Sequence, residues 1–357
     1  MKNQIPDAVP YPFDAQSSPF FCALASALLP ALGYTEEQPF YCAPQGSDCT
    51  NCGGCNKTTM QKHHLQLYHN YQTFTGVGLG WEWPENDSEY HVLPGWERDW
   101  DWPDEFFGFI FGFAGLSWTR LTKIAGKDNV FKELKTSIDA GFPVLARFGP
   151  DWRVLTGCDD GEIIGLGYGL GEEATIPEWF EAFVDAIIII GRTKQSVTYS
   201  GILDRMIEAL AHPAHAKLES DLMARLDEVT PENARESAEW LLAKVSFPIE
   251  ARWHAADSEL YILCESKAAK EKVFGLIRQY VFDGELDATH GTCWKIWAQL
   301  GVGPETNYAL PENAGELLLQ EETRAKLKRL FAIVFENDRV VLGLLREAAE
   351  IIKGELS

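Results

Sequence analysis

Phe13-Asp14-Ala15-Gln16-Ser17-Ser18-Pro19-Phe20-Phe21-Cys22-Ala23-Leu24-Ala25-Ser26-Ala27-Leu28-Leu29 decides how the first half of this chain is read. Ser18 suits the cap of a helix, and Pro19 suits its first position, where no N–H is needed. Gly33 is the residue type that stops helices, so the pattern predicts a helix over 18–33. Cys22 then falls in the first turn, where unpaired N–H groups and the positive end of the helix dipole favour a thiolate. Gln16 lies on the entering loop and is placed to aim its amide at an oxyanion forming beside that sulfur. The same residues also fit a plainer role, a buried Cys in an Ala/Leu-rich helix after a surface Gln, because free Cys is among the most buried residue types.

Around this stretch the chain runs to 357 residues, enough for one large domain or two ordinary ones. With 46% hydrophobic residues it can build a core, and 24% charged residues is ordinary for a soluble protein. The net charge of −22 argues against nucleic acid and anionic lipid as general partners, since both need a basic surface. The opening residues carry no apolar core of a signal peptide, and the longest apolar run, Ala186 to Ile190, is too short to span a bilayer. These features predict a cytoplasmic protein whose eight cysteines are reduced or metal-bound.

Further along, Thr58 to Thr73 and Asn129 to Ala140 read as helices. Residues 76–104 are rich in Gly, Trp and acids and show no period. Short strand-like runs follow at Pro143–Phe148, Arg153–Thr156, Glu162–Gly165 and Ala186–Gly191, separated by Gly, Pro and Asp. After Lys194 the pattern turns helical. Thr230 and Pro231 open one helix, and Leu327, Leu330, Phe331, Val334, Val341, Leu344, Leu345 and Ile352 recur at helical spacing in the last. The expected class is α+β over 1–195 followed by a helical domain over 196–357, whose acidic amphipathic helices suit capping the first domain or forming a homodimer.

The order of parts resembles the papain-like fold in its compact bacterial form. The carriers are Gln16-x5-Cys22, Gly-Phe-Pro-Val-Leu-Ala-Arg-Phe at 141–148, and Trp-Arg-Val-Leu-Thr-Gly-Cys-Asp-Asp-Gly-Glu-Ile-Ile-Gly at 152–165. The last block is similar to the His-x5-Gly-Tyr-Asp hairpin of the peptidases that trim double-glycine leader peptides. It is closer to the N-terminal domain of the butirosin-biosynthesis acyltransferase and its bacterial relatives. The resemblance covers roughly residues 10–195 and implies a Cys22 nucleophile with Gln16 and the Cys22 N–H as oxyanion donors. It departs at the base. Counting back from Gly157 gives Asp151 where the peptidases have His, and Gly167 stands where they have the orienting Asp. Asp151 fits a weak base or an ordinary turn residue. His63, His64, His69, His91 and His290 are other candidates for the base.

Two further features bear on function. Cys42, Cys49, Cys52 and Cys55 lie in a loop, 41–56, with Gly46, Gly53 and Gly54. Four cysteines so close suit a zinc ion or an iron–sulfur cluster, the unbroken Cys-x2-Cys-x2-Cys run fitting the cluster slightly better. Free thiols or a disulfide are the plainer alternative. Trp81, Trp83, Trp96, Trp100 and Trp102 alternate with carboxylates. Trp81 and Trp83 could stack on a ligand beside the Cys22 cleft, or pin an irregular loop to the core. Thr289-His290-Gly291-Thr292-Cys293 also sets a His near a Cys.

The expected function is thiol-dependent acyl transfer or hydrolysis on a small molecule or peptide. An acyl thioester asks less of a base than an amide does, which suits the missing His. The alternative is a non-catalytic binding or sensing module of the same fold, with a metal-stabilised loop. A redox role for the cysteine cluster is a third reading.

Overall fold

A computed structural model describes residues 3–5, 18–38, 41–42, 47–48, 58–81, 102–167, 174–281 and 288–355. The chain is α+β and divides into two compact units, 1–71 with 102–198, and 72–101 with 199–357. The sequence predicts one boundary at 195. The division falls at 198, and the segment 72–101 belongs to the helical unit, not to the first.

The first unit holds, in chain order, β1 (Asn3–Gln4), α1 (Pro19–Leu32), β2 (Tyr41–Cys42), β3 (Ser47–Asp48), α2 (Thr59–Phe74, entering the second unit at its end) and α3 (Asp104–Ala114). β4 (Leu116–Thr122), α4 (Lys127–Asp139), β5 (Val144–Phe148), β6 (Asp151–Asp159), β7 (Glu162–Gly167), β8 (Ala174–Ile176), α5 (Trp179–Ala182) and β9 (Phe183–Arg192) complete it. The sheet order is β4-β9-β5-β6-β7-β8, with β1 beside the far end of β6, and every pairing is antiparallel.

Strand alternation gives this sheet two different faces. Val144, Ala146, Leu155, Ile163 and Ile188 face one way and pack with Val130, Leu134 and Ile138 of α4. Leu145, Arg147, Trp152, Val154, Asp185 and Ile187 alternate with them along β5, β6 and β9, so they lie on the opposite face, toward α1. Phe20 to Leu29 of α1 are all buried. A helix apolar on every side belongs in the interior, and α1 packs on β5 and β6.

Both ends of α1 are set by its sequence. The Ser18 side chain accepts from the Phe21 N–H, with Pro19 at the first position. At the other end Gly33 takes a left-handed φ of 78°, its N–H reaching Pro30 O and that of Tyr34 reaching Leu29 O. The left-handed φ favours glycine at this position, and the nearest group to a Cβ there is the mobile tip of Arg192.

The second unit contains a short 3-10 turn at Val77–Leu79 and α6 (Tyr199–Leu210), α7 (Pro213–Asp227), α8 (Ala234–Asp257), α9 (Leu260–Leu263), α10 (Lys267–Tyr280), α11 (Thr289–Gln299), α12 (Ala314–Leu319) and α13 (Glu321–Glu355). Leu218, Leu222, Leu241, Val245, Phe331 and Val334 form the centre of its core. Among the described residues no helix is long and apolar enough to cross a membrane.

Candidate functional site

With Ser18 as cap, Cys22 is the fourth residue of α1. Its N–H donates to Ser18 O at 3.1 Å, the first bond of the helical ladder. That N–H is therefore committed, and the helix's free donors end before it. The Cys22 side chain is fully buried, with 0% exposure. Gln16, the other expected oxyanion donor, lies outside the described residues.

The histidine nearest to Cys22 is bound in a structural role. His64 on α2 lies within hydrogen-bond distance of Cys22 O (3.1 Å) and Ser26 Oγ (2.9 Å) through Nε2. A carbonyl oxygen only accepts, so Nε2 carries the proton and donates it. The nitrogen facing Cys22 thus has no lone pair to offer a thiol. Burial holds the His64 pKa down at about 4, against a smaller upward pull from the Cys22 carbonyl, so the ring is neutral at pH 7.

Aromatic side chains close the N-terminal end of α1. Phe20 stacks on Trp102 at 4.5 Å, Trp102 stacks on Phe106 at 3.9 Å, and Trp152 meets Phe20 edge-on at 5.1 Å. Each such pair is worth roughly 0.5–1.5 kcal/mol beyond the area it buries. Beside this cluster Asp185 is clamped between Arg147 (3.0 Å) and Arg120, which also binds Asp104 at 3.3 Å. Arg147 lies over the Trp152 ring and Arg120 over that of Phe107. This buried ion triplet occupies the sheet face that carries α1.

Asp151 does not join this group. It follows the Gly149–Pro150 turn, where Gly149 has a φ of 57°, and it opens β6 opposite Phe148. Alternation along β6 sends Trp152 toward α1 and Asp151 to the other face. There Asp151 is 59% exposed, with Arg153 at 3.7 Å. Phe20 and Trp152 bring the helix and the strand together, while the carboxylate points away from the thiol.

The remaining candidates are dispersed. Trp81 belongs to the helical unit, fully buried, stacked on Phe335 at 4.5 Å and donating its Nε1–H to Asp338 at 3.3 Å. It is a core anchor. Trp83 and His91 lie outside the described residues, as do Cys49, Cys52 and Cys55, while the backbone of Cys42 pairs with Ser47 in the β2–β3 hairpin. Among the described residues no group of three or more His, Cys, Asp or Glu is placed to hold a metal ion. His63 bonds Gln38 O at 3.2 Å and packs on Tyr34. Cys293 is fully buried and burial pushes its thiol up to about 12, whereas His290 accepts from Trp294 Nε1 at 3.1 Å. That pair is not a nucleophile and its base.

Sequence reading missed a polar centre in the helical unit. Arg252, fully buried, donates to the carbonyls of Gly78, Leu79 and Gly80 and to Asp338 Oδ2 at 2.8 Å. Asp338 also accepts from Tyr280 OH at 3.1 Å, and His215 Nδ1 lies 3.9 Å from it. A signal was present. Asp338 falls three to four residues after Val334 and Phe335 and before Val341, on the apolar stripe of its helix.

No protein-family model, no curated protein and no solved structure matches the chain. Fold and site therefore define its class by themselves: an α+β chain whose first unit packs a cysteine-bearing helix on an antiparallel sheet and whose second unit is helical.

Proposed function

We infer that this chain is a papain-like-fold protein that binds or senses a ligand and does not use Cys22 as a nucleophile. The observation that carries this reading is the state of Cys22. Its side chain is fully buried and its N–H is spent on Ser18 O. The other conditions for catalysis fail with it. His64 gives its proton to a carbonyl, and Asp151 faces away. A thiol used for acyl chemistry has to meet its substrate, lose its proton to a base and leave a donor for the oxyanion. The relation to the papain-like fold rests on the capped helix bearing Cys22 ahead of an antiparallel sheet and on the 152–165 hairpin. The Cys42, Cys49, Cys52 and Cys55 loop completes the reading as a zinc or iron–sulfur site of structural use.

The test is the rate of alkylation of Cys22 against pH, followed by peptide mass mapping with Cys22→Ala as control. The expected result is no labelling of Cys22 until the protein unfolds. Fast labelling with an apparent pKa well below that of a free thiol would overturn the reading and restore acyl transfer or hydrolysis.

A further inference from the structure

A cleft of about 260 Å³ opens in the helical unit between the α6–α7 connection and α13. Its walls carry two kinds of side chain. Leu210, Phe335 and Leu342 supply an apolar surface, and His215, Asp338 and Arg346 supply polar groups. On α13 the residues 335, 338, 342 and 346 recur at helical spacing, so one face of a rigid 35-residue helix builds one wall.

Most of the charged groups around the cleft are held in ion pairs. Asp338 is satisfied by Arg252 at 2.8 Å, and by Tyr280 and Trp81. Glu219 is matched by Arg339 at 2.8 Å, which also holds Glu336 at 2.8 Å. Lys217 and Asp221, on the same helix as Glu219, pair with each other. Arg346 lines the cleft and has no ion pair among the described residues. The cleft also receives the start of α7, where His212 Nδ1 accepts from the Ala214 N–H and the helix dipole adds positive potential. His215 is neutral at pH 7, because burial holds its pKa at about 4 against the pull of Asp338. Its ring also meets the Ala209 backbone, and its Nε2 is buried.

We propose that this cleft binds a small monocarboxylate with an apolar body, its carboxylate on Arg346 and its hydrocarbon part against Leu210, Phe335 and Leu342. Arg346 lines the cleft without an ion pair among the described residues, and a guanidinium takes a carboxylate through two parallel bonds. The space admits a body about the size of a phenyl ring or a short branched chain, below the usual range of drug-sized pockets. The proposal goes beyond the reading of Cys22 and does not depend on it.

The test uses the full chain and a panel of acetate, isovalerate, benzoate and phenylacetate, with phenethylamine as a cation of matched shape. Binding is read by calorimetry and by saturation-transfer NMR. Isovalerate, benzoate or phenylacetate should bind one per chain and more tightly than acetate, and phenethylamine should bind more weakly than phenylacetate. Arg346→Gln, an exposed change, should weaken the carboxylate about tenfold or more, and Leu342→Trp should abolish binding by filling the cleft. Unchanged thermal unfolding of both variants confirms that they are folded. Saturable binding of none of the panel, equal binding by the parent and both variants, or preference for phenethylamine would overturn the proposal. Cys22 labelling is a separate readout, so either inference can fail alone.

Discussion

Asp338→Asn is the perturbation that weighs most on the helical unit. The change keeps shape and removes one charge. Asp338 is 6% exposed and Arg252 0%, so the guanidinium it neutralises has no water to turn to. Arg252 would keep the carbonyls of 78–80 but lose its only ionic partner among the described residues. Breaking a buried pair from one side costs about 3–5 kcal/mol. Tyr280 donates to one carboxylate oxygen and Trp81 to the other, and Asn keeps only one oxygen, so one of these donors loses its acceptor. Against a total stability of roughly 5–15 kcal/mol this is a large share. Native-state hydrogen exchange of peptides from 234–257 and 321–355 reads it directly, and their slowest amides should exchange about two to three and a half orders of magnitude faster. The double variant Arg252→Met/Asp338→Leu removes both charges and should recover the part of the loss due to the unpaired guanidinium, leaving the cost of three carbonyls without that donor and of the Tyr280 and Trp81 donors without this acceptor. Exchange in Asp338→Asn within about threefold of the parent would refute the reasoning.

Two further outcomes follow from the same geometry and from the cysteine loop. Burial lowers His64 and His215 to about 4 in the folded state, below the ordinary value of 6.5, so the unfolded chain binds more protons between those limits. Their contribution is complete above pH 6.5 and is lost as pH falls toward 4, up to about 3 kcal/mol for each ring. Urea midpoints measured from pH 7.5 to 4.5 should fall steeply, and His64→Gln should flatten part of that slope; identical slopes in parent and variant would contradict it. Anaerobically prepared protein should carry about one zinc ion or one cluster per chain and lose it in Cys52→Ala, and metal analysis that finds nothing bound would dismiss the site.

Much of the first unit was legible. Pro19, Gly33 and the Ala/Leu run marked α1, and the Ile run at 187–190 marked the strand β9. What escaped has physical reasons. α3 buries Phe106, Phe107, Ile110 and Phe111 and carries glycines at 108 and 112, a composition of modest helix propensity that packing overrides. β4 lies at the sheet edge, and its residues show no buried-exposed alternation for a period-two pattern to report. β6 runs over 151–159 where the apolar pattern marks only 153–156, because an irregularity between Leu155 and Gly157 breaks its alternation. The assignment of 72–101 to the helical unit rests on contacts such as Trp81 to Asp338, 257 residues apart, which no local pattern encodes.

The thiol shows how much about chemistry a right local reading leaves undecided. Ser18 as cap and Pro19 as first residue were read correctly from sequence, and they suffice to number the helix. The cap's own carbonyl takes the first intrahelical bond, and its donor is the fourth residue onward, here Cys22. The N–H groups outside the helical ladder at this end are those before Cys22; Pro19 has none to give, and that of Ser18 meets Tyr68 OH at 3.4 Å. Phe21 is already satisfied by Ser18 Oγ. The helix start that seemed to activate Cys22 thus withholds the backbone donor that acyl chemistry would need. Phe20 and Phe21 then bring Trp102 within 4.5 and 5.9 Å, and burial of those rings closes the helix end that a substrate would have to reach. Charge on the apolar stripes marks the second unit in the same way. Arg252 continues the buried series Leu241, Val245 and Ile249, and Asp338 the series Phe331 and Val334. A charge at such a position has to find a partner on another helix, and here the two find each other across 86 residues beside the wall of a cleft.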